Sequence, residues 1–164
     1  YFDSIKNIND KRLLHYCFGG QERSDSVRNG LKSLKPYNPK KVLIHDAARP
    51  FISTSLIEVI INKLTTSDAV LPIIPIFDAL WEIRDTNFET KIIKPGPDRS
   101  RLFRAQTPQG FDYKKIYKAH QQVNKTALDD IAIAYEAGLK ISSVPGEEIN
   151  FKLTTAEQVK LIKG

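Results

Sequence analysis

Residues 42–51 read VLIHDAARPF, and this stretch indicates the fold class. An aliphatic run of the kind found in buried strands leads directly into Asp46, two alanines, Arg49 and a proline. In open α/β sheets, ligands bind beyond the carboxyl ends of parallel strands. An aspartate at that position can hold Mg²⁺, and the arginine is near enough to neutralise a phosphate. The alternative is an Asp–Arg pair that only closes a loop.

The rest of the chain alternates predicted strands with predicted helices. Three apolar runs predict buried strands: residues 41–46, 68–76 and 139–146. Three amphipathic patterns predict helices: residues 24–34, 53–64 and 128–137. This alternation predicts an α/β domain with a mostly parallel sheet.

Capping residues mark the ends of these helices. Ser24 is the expected N-cap of the first helix, and Ser53 or Thr54 that of the second. The third helix is expected to begin at Leu128 or Asp129 and to end before Gly138, which suits a left-handed C′ position.

Residues 77–111 interrupt the alternation. They combine alternating apolar and polar residues, the polar turn RDTN and the loop sequence KPGPD, so we expect a β-hairpin arm. The arm also carries apolar side chains that a free hairpin could not bury: Leu80, Trp81, Ile83, Ile92 and Ile93. An excursion of this length is typical of a lid or an oligomerisation element.

Composition limits the classes of protein that remain. A length of 164 residues with 41% hydrophobic content suits a single domain with one core. No apolar run approaches the roughly 20 residues needed to cross a bilayer, and the N-terminus lacks the pattern of a secretory signal, so we expect a cytoplasmic protein. Cys17 lies in an apolar run and is expected to be a buried thiol. The chain has no methionine and begins Tyr-Phe, which suggests a fragment of a longer protein.

The net charge of +6 favours polyanionic partners, either nucleic acid or phosphorylated small molecules. The densest basic cluster, DRSRLFR, contains Arg99 and matches no common nucleic-acid-binding motif. Lys152 lies between apolar neighbours in INFKLTT. Gly19 and Gly20 precede a predicted helix, where they could present backbone N–H groups to a ligand, and Ser26 lies in its first turn. Each of these features alone is compatible with a structural role.

Their order along the chain is more specific. The succession GGQERSDSV, HDAARPF, FDALWEI, DRSRLFRAQTPQGF, LDDIAIAYEAGL and VPGEEINFKLTT resembles the 2-C-methyl-D-erythritol 4-phosphate cytidylyltransferases of the non-mevalonate isoprenoid pathway, within the sugar-alcohol-phosphate cytidylyltransferases. The resemblance covers nearly the whole chain. It implies a doubly wound, Rossmann-like sheet of the nucleotide-diphospho-sugar transferase type, with a protruding arm at residues 77–111 that clasps a second subunit. Residues 1–164 would form one domain without its N-terminal nucleotide loop, so the fragment alone should be inactive.

The resemblance also assigns roles to individual residues. Asp46 corresponds to the aspartate that binds Mg²⁺, and Arg49 belongs to the same catalytic loop. Arg99 and Lys152 correspond to the cations that position the substrate phosphate, with Arg99 acting across the dimer. The residues expected to contact the nucleotide, CTP, are Gly19, Gly20, Ser26 and Ala47. A cyclodiphosphate synthase is a possible fused or associated partner, and neither nucleic acid nor a membrane is expected as a partner.

The sequence departs from the family pattern at two substrate positions. Ala79 and Leu128 replace threonines that the family uses to contact the polyol phosphate. A cytidylyltransferase for another polyol phosphate, such as ribitol 5-phosphate, therefore stays an alternative. The other alternative is a non-catalytic homologue that binds nucleotides or nucleic acid, although the retention of Asp46, Arg49, Arg99 and Lys152 argues against it.

Overall fold

The computed structural model describes residues 8, 10–14, 16–83, 93–122 and 127–158. The chain divides into two compact units, Tyr1–Asn38 and Pro39–Gly164. In the described part of the chain, no helix is long and apolar enough to cross a membrane.

The first unit contains the helix α1, Arg23–Ser33, followed by a 3₁₀ turn at Lys35–Tyr37. Its N-cap is Glu22, not the expected Ser24, because Glu22 and Asp25 form a reciprocal capping box. Leu31 is the buried residue of its apolar face. The expectation of a buried Cys17 is wrong: the thiol is exposed, and residues 16–20 form neither helix nor strand.

The second unit contains a five-stranded sheet, a two-stranded sheet and three α-helices in the described residues. The strands are β1 (Lys41–Ile44), β2 (Ala69–Pro75), β3 (Trp81–Ile83), β4 (Ile93–Pro95), β5 (Phe103–Ala105), β6 (Gln109–Asp112) and β7 (Ile141–Pro145). The helices are α2 (Thr54–Lys63), α3 (Tyr113–Gln122) and α4 (Asp130–Glu136). The three predicted strands are therefore confirmed as β1, β2 and β7.

Local sequence explains the boundaries of α2 and α4. Ser53 caps α2, its hydroxyl accepting a hydrogen bond from the N–H of Leu56 at 3.0 Å. Asp129 caps α4 in the same way, accepting from Ala132 N at 2.9 Å. Gly138 adopts φ +70° directly after the C-cap of α4, a conformation that favours glycine. These three capping predictions are confirmed.

The five-stranded sheet is mixed, and the expectation of a mostly parallel sheet is wrong for the described strands. Only β2 and β7 pair in parallel, whereas β1–β6, β2–β6 and β2–β5 are antiparallel. Two of the antiparallel pairs arise from β6, which lies between β1 and β2 and runs opposite to both, and the third arises from β5. The sequence of β6, QGFD, has a single large apolar residue and carries no strand signal. Strand β1 has β6 as its one described partner, and β1 is accordingly only half-buried.

Strand β2 organises the sheet. Ala69 pairs with Phe111 of β6 and Ile141 of β7, so these two strands lie on opposite edges of β2. Ile73 of β2 pairs with Ala105 of β5 on the same edge of β2 that pairs with β6. Residues 106–108 form a break between β5 and β6 and belong to neither strand. Strands β1, β2 and β7 run in one direction, so the loops that follow β1 and β7 leave the sheet at the same end.

One hydrophobic core lies between α2 and the sheet. It consists of the buried residues Leu56, Ile60, Leu64, Val70 and Val144, with Leu43 packed against them. Gly110 of β6 faces this core, and a Cβ there would come within 2.4 Å of the Ile60 Cγ2 atom. Only glycine therefore allows α2 to approach β6 this closely.

The predicted hairpin is present but shorter than expected. Strands β3 and β4 pair antiparallel, from Trp81 opposite Pro95 to Ile83 opposite Ile93. Residues 103–105 and 109–111, which were also assigned to the arm, belong to the five-stranded sheet instead. The expected turn, together with Ile92, lies outside the described residues.

Candidate active site

The loop after β1 presents a carboxylate beside two cations. Asp46 Oδ2 lies 3.0 Å from Lys152 Nζ and 3.9 Å from Arg49 Nε. The loop is closed by a backbone hydrogen bond from Arg49 N to Asp46 O at 2.9 Å. Lys152 follows β7, so the parallel direction of β1 and β7 brings these side chains to one end of the sheet.

Arg49 is the most buried of the three side chains, with 12% of its surface exposed. Its guanidinium donates to the carbonyl of Asn150 at 2.8 Å and to that of Ala105 at 3.4 Å. Burial lowers the pKa of Arg49 from its ordinary value, and the negative charge of Asp46 opposes this shift. The guanidinium therefore mainly joins the loop after β1 to the backbone at Asn150 and at Ala105.

Thr107 holds the Asp46 loop from the break between β5 and β6. Its hydroxyl oxygen accepts a hydrogen bond from Asp46 N at 3.0 Å and lies 3.1 Å from His45 Nδ1. His45 Nε2 lies 2.9 Å from the carbonyl of Arg49, which can only accept. In the neutral imidazole, Nε2 thus carries the hydrogen, and Nδ1 accepts from the threonine hydroxyl. The hydrogen bonds of Thr107 and His45 therefore hold the loop at Asp46 and at Arg49.

A pocket of about 300 Å³ opens beside the loop. Its lining includes the three cationic residues Arg49, Arg104 and Lys152, together with Phe151. Glu148 also lines it and pairs with Arg104 at 2.7 Å. The balance of charge around this pocket is positive, which suits a phosphorylated ligand.

Arg99 and Ala47 were also predicted for the site, and of these two only Ala47 lies on the Asp46 loop. Arg99 is in a 3₁₀ turn, where its guanidinium donates to the carbonyl of Phe77; among the described residues, no contact joins it to Asp46. Ala47 is exposed on the Asp46 loop.

Gly19, Gly20 and Ser26 form a local cluster in the first unit. Ser26 Oγ accepts from Gly20 N at 3.0 Å and donates to the carbonyl of Glu22 at 3.2 Å. A Cβ on Gly20 would lie 2.1 Å from Asp25 Cβ, so the turn can approach α1 only with glycine at this position.

Comparison with known proteins identifies the family. The model of the family described as IspD, 2-C-methyl-D-erythritol 4-phosphate cytidylyltransferase, matches residues 2–163. The chain belongs to this family. It is 46% identical over 149 residues to the bifunctional enzyme IspD/IspF of Paramagnetospirillum magneticum, an alignment that covers 90% of the chain. It is 44% identical over 136 residues to the 2-C-methyl-D-erythritol 4-phosphate cytidylyltransferase of Roseobacter denitrificans, covering 83% of the chain.

A solved structure of the family has the same fold. The 4-diphosphocytidyl-2C-methyl-D-erythritol synthase of Anaerococcus prevotii superposes with a TM-score of 0.80 at 30% identity, covering 97% of this chain and 69% of that one. The chain spans 38% of the length of the Paramagnetospirillum relative and 59% of that of the Roseobacter relative.

Residue-by-residue reading of the sequence missed His45, Thr107 and Asn150. Thr107 and Asn150 lie inside the quoted stretches AQTPQGF and INFKLTT, but neither was singled out. Only Asn150 carried a local signal: it is a short polar residue flanked by the apolar Ile149 and Phe151, a pattern that often marks a buried hydrogen-bonding group. The partners of Thr107 and Asn150 come from distant segments, and sequence spacing does not reveal such pairings.

Proposed function

We propose that the protein transfers a cytidylyl group from CTP to 2-C-methyl-D-erythritol 4-phosphate and releases pyrophosphate. The observation that carries this proposal is the group of Asp46, Arg49 and Lys152 at one end of the sheet, in a chain of this family. The product would be 4-diphosphocytidyl-2-C-methyl-D-erythritol, a precursor in non-mevalonate isoprenoid synthesis.

The reaction requires charge neutralisation more than a protein nucleophile. An oxygen of the polyol phosphate attacks the α-phosphorus of CTP, and the bond from that phosphorus to the departing pyrophosphate breaks. Because both reactants are polyanions, cations must bring them into line. We assign this task to Lys152, whose side chain is 45% exposed, and to Arg99. Arg49 contributes positive charge and holds the loop through its bonds to backbone carbonyls.

The residues present fit a Mg²⁺ ion that is held largely by the nucleotide. The described residues contain no group of three or more His, Cys, Asp or Glu side chains that could form a complete metal site. Mg²⁺ is commonly bound by one or two carboxylates together with substrate phosphates, and Asp46 supplies one such carboxylate. When bound there, the ion would offset part of the triphosphate charge.

We propose that Gly19, Gly20, Ser26 and Ala47 contact the nucleotide. The support is their match to the family pattern together with the close-packed glycine turn around Ser26. We also propose that residues 1–164 belong to one cytidylyltransferase domain.

We also propose that the β3–β4 hairpin forms an arm that clasps a second subunit. Several apolar side chains in and beside it are exposed: Phe77, Trp81, Ile83 and Phe103. Exposed apolar side chains of this number favour a protein partner. Contact with a second copy would cover them and place Arg99 near the partner's catalytic loop.

A second polyol phosphate is the main alternative substrate. Leu128 is 97% exposed, and neither it nor the exposed Ala79 offers the hydroxyl that the family uses at these positions. A coupled pyrophosphate assay of the full-length protein with CTP and Mg²⁺ separates the candidates. We expect a higher kcat/KM for methylerythritol phosphate than for ribitol 5-phosphate. The reverse order would refute the substrate assignment, and no turnover with either would favour a non-catalytic homologue.

Some relatives are named bifunctional enzymes IspD/IspF. These names support the expectation of a fused cyclodiphosphate synthase. The mass of the natural gene product tests it.

A further inference from the structure

Asn150 is a buried residue that joins three segments of the second unit. Its side chain is fully buried, and its Nδ2 donates to the carbonyl of Thr107 at 2.8 Å. Its own carbonyl accepts from Arg49 Nη1 at 2.8 Å and from Gln106 Nε2 at 3.2 Å. The segment after β7 is thus tied to the loop after β1 and to the break between β5 and β6.

Further contacts continue this attachment along the chain. Leu153 N donates to the carbonyl of Ala48 at 2.8 Å. The rings of Phe51 and Phe151 lie 5.6 Å apart. Residues 150–153 therefore lie along the loop that carries Asp46, and they are attached to it at both ends.

Lys152 lies between these two attachments. A lysine side chain has four flexible carbon–carbon bonds, so the position of its ammonium depends strongly on where its backbone is held. With the backbone fixed on either side, the ammonium reaches Asp46 Oδ2 at 3.0 Å. The Asn150 side chain contributes its bond to Thr107 to the first of these attachments, and losing that bond would widen the range of positions that the ammonium can occupy.

We propose that Asn150 is a positioning residue for Lys152 in the cytidylyl-transfer reaction, an inference that rests on the proposed function. The Asn150 side chain acts through the backbone of residues 150–153 and does not touch substrate. The carbonyl of Thr107 can only accept a hydrogen bond, so the amide nitrogen must face it. Aspartate, which has the same shape, cannot donate this bond when ionised, and alanine leaves the carbonyl buried without it.

A double-mutant cycle tests the proposal in the full-length protein. We expect Asn150→Ala to lower kcat/KM for methylerythritol phosphate by about 10- to 100-fold, as for other losses of precise positioning. In a Lys152→Ala background, the same substitution should add less than about 3-fold, because the residue it positions is already gone. The proposal would be overturned if the fold-losses in kcat/KM of the two single variants multiply in the double variant. A wild-type kcat/KM in Asn150→Ala would also overturn it. If Asn150→Ala does not fold, Asn150→Ser takes its place.

Ser67→Ala is the matched control. It removes a partly buried hydrogen bond of 2.7 Å between Ser67 and Ser142, near the opposite end of β2 from the site. We expect it to lower Tm by an amount similar to Asn150→Ala while leaving kcat/KM unchanged in both backgrounds. A loss of activity in this control as large as that in Asn150→Ala would assign the Asn150 effect to general destabilisation.

A second readout does not depend on turnover. Lys152 can be acetylated with a small amine-reactive reagent such as acetic anhydride. Mass spectrometry of the peptide that contains Lys152 measures the rate. We expect Asn150→Ala to raise that rate several-fold, because the ammonium is no longer held against Asp46. The exposed Lys118 of α3 is the internal control, and its rate should not change. An unchanged rate at Lys152 would refute its positioning by Asn150. An inactive wild-type protein with the expected labelling change would refute the proposed function alone.

Discussion

Asp46 is the residue on which most of the proposed chemistry depends. Its side chain is 19% exposed, and its carboxylate lies beside Lys152 and Arg49, so its negative charge faces two cations. The substitution Asp46→Asn keeps the shape but removes the charge. We expect a loss of turnover of at least about 100-fold, since an electrostatic contribution to the transition state is lost. The pyrophosphate assay measures this loss, and circular dichroism checks the fold.

The same substitution at Asp68 is the control. Asp68 also pairs with a lysine, Lys115, at 2.5 Å, but it lies just before β2, at the opposite end from the Asp46 loop. We expect Asp68→Asn to retain wild-type turnover. Equal losses in the two variants would show that the Asp46 effect is not specific to the site.

Sequence reasoning identified the charged residues of this site better than the polar residues that hold them. Asp46, Arg49 and Lys152 lie in stretches that resemble the family, and the structure brings these three together. Thr107 and Asn150 contact them through hydrogen bonds between segments more than 40 residues apart in sequence. Such bonds depend on the sheet register, which local sequence does not specify.

At the scale of elements, the packing of α2 on β6 depends on a residue without a side chain. A Cβ on Gly110 would lie 2.4 Å from Ile60 Cγ2 and 3.1 Å from Leu64 Cδ1. We expect Gly110→Ala to lower the free energy of unfolding by about 1–3 kcal/mol, the usual cost of overpacking a core. Urea denaturation measures the change.

Gly30→Ala provides the comparison for the same chemical change. Gly30 lies within α1, and an added Cβ would meet no atom within 4 Å. Alanine is favoured over glycine in a helix by about 1 kcal/mol, so this variant should be neutral or stabilised. Destabilisation of similar size in both variants would argue against the packing explanation for Gly110.

Asp68 also connects elements, and its contribution should depend on pH. The hydrogen bond from Lys115 of α3 lowers the pKa of Asp68 below its ordinary value, and the backbone N–H of Lys140 lowers it further. A depressed folded-state pKa means that the stabilisation is present above about pH 4 and is lost as the pH falls through the folded value. The difference in unfolding free energy between wild type and Asp68→Asn should therefore shrink below about pH 4. A constant difference in urea titrations from pH 7 to pH 3 would contradict this.

The elements themselves could be predicted to different degrees. Strands β1, β2 and β7 are marked by continuous aliphatic residues, and α2 by its cap and its buried face of Leu56 and Ile60. Strand β6 could not be predicted, because its pairing on both edges is what allows a QGFD sequence to form a strand. The directions of β6 and of β5, which was assigned to the arm, make the sheet mixed, so these two strands account for the error in topology.

At the scale of the whole molecule, the proposed dimer makes a specific prediction about mixed subunits. If Arg99 serves the partner's site, Arg99→Ala and Asp46→Asn chains should complement each other. A mixed dimer would then have one site with both defects and one with neither. Random equal mixing should restore about one quarter of wild-type turnover, since half of the dimers are mixed and half of their sites are intact. The pyrophosphate assay after verified subunit exchange measures the recovery.

The parent variants measured alone supply the baseline. Mixed samples that remain as inactive as these parents would show that Arg99 does not act across an interface. A monomer in analytical ultracentrifugation at assay concentration would lead to the same conclusion.

The insertion of β6 between β1 and β2 has a consequence for synthesis on the ribosome. Val42 of β1 and Ala69 of β2 both pair with Phe111, so among the described strands these two are joined through a segment made some 40 residues after Ala69. A nascent chain that has emerged only as far as β2 therefore lacks the strand that joins its two halves. Closing such long loops is slow and leaves unpaired strand edges exposed in the meantime. Co-translational folding of this sheet must wait until residue 112 has left the exit tunnel, and until then β1 and β2 are open to pairing with other chains.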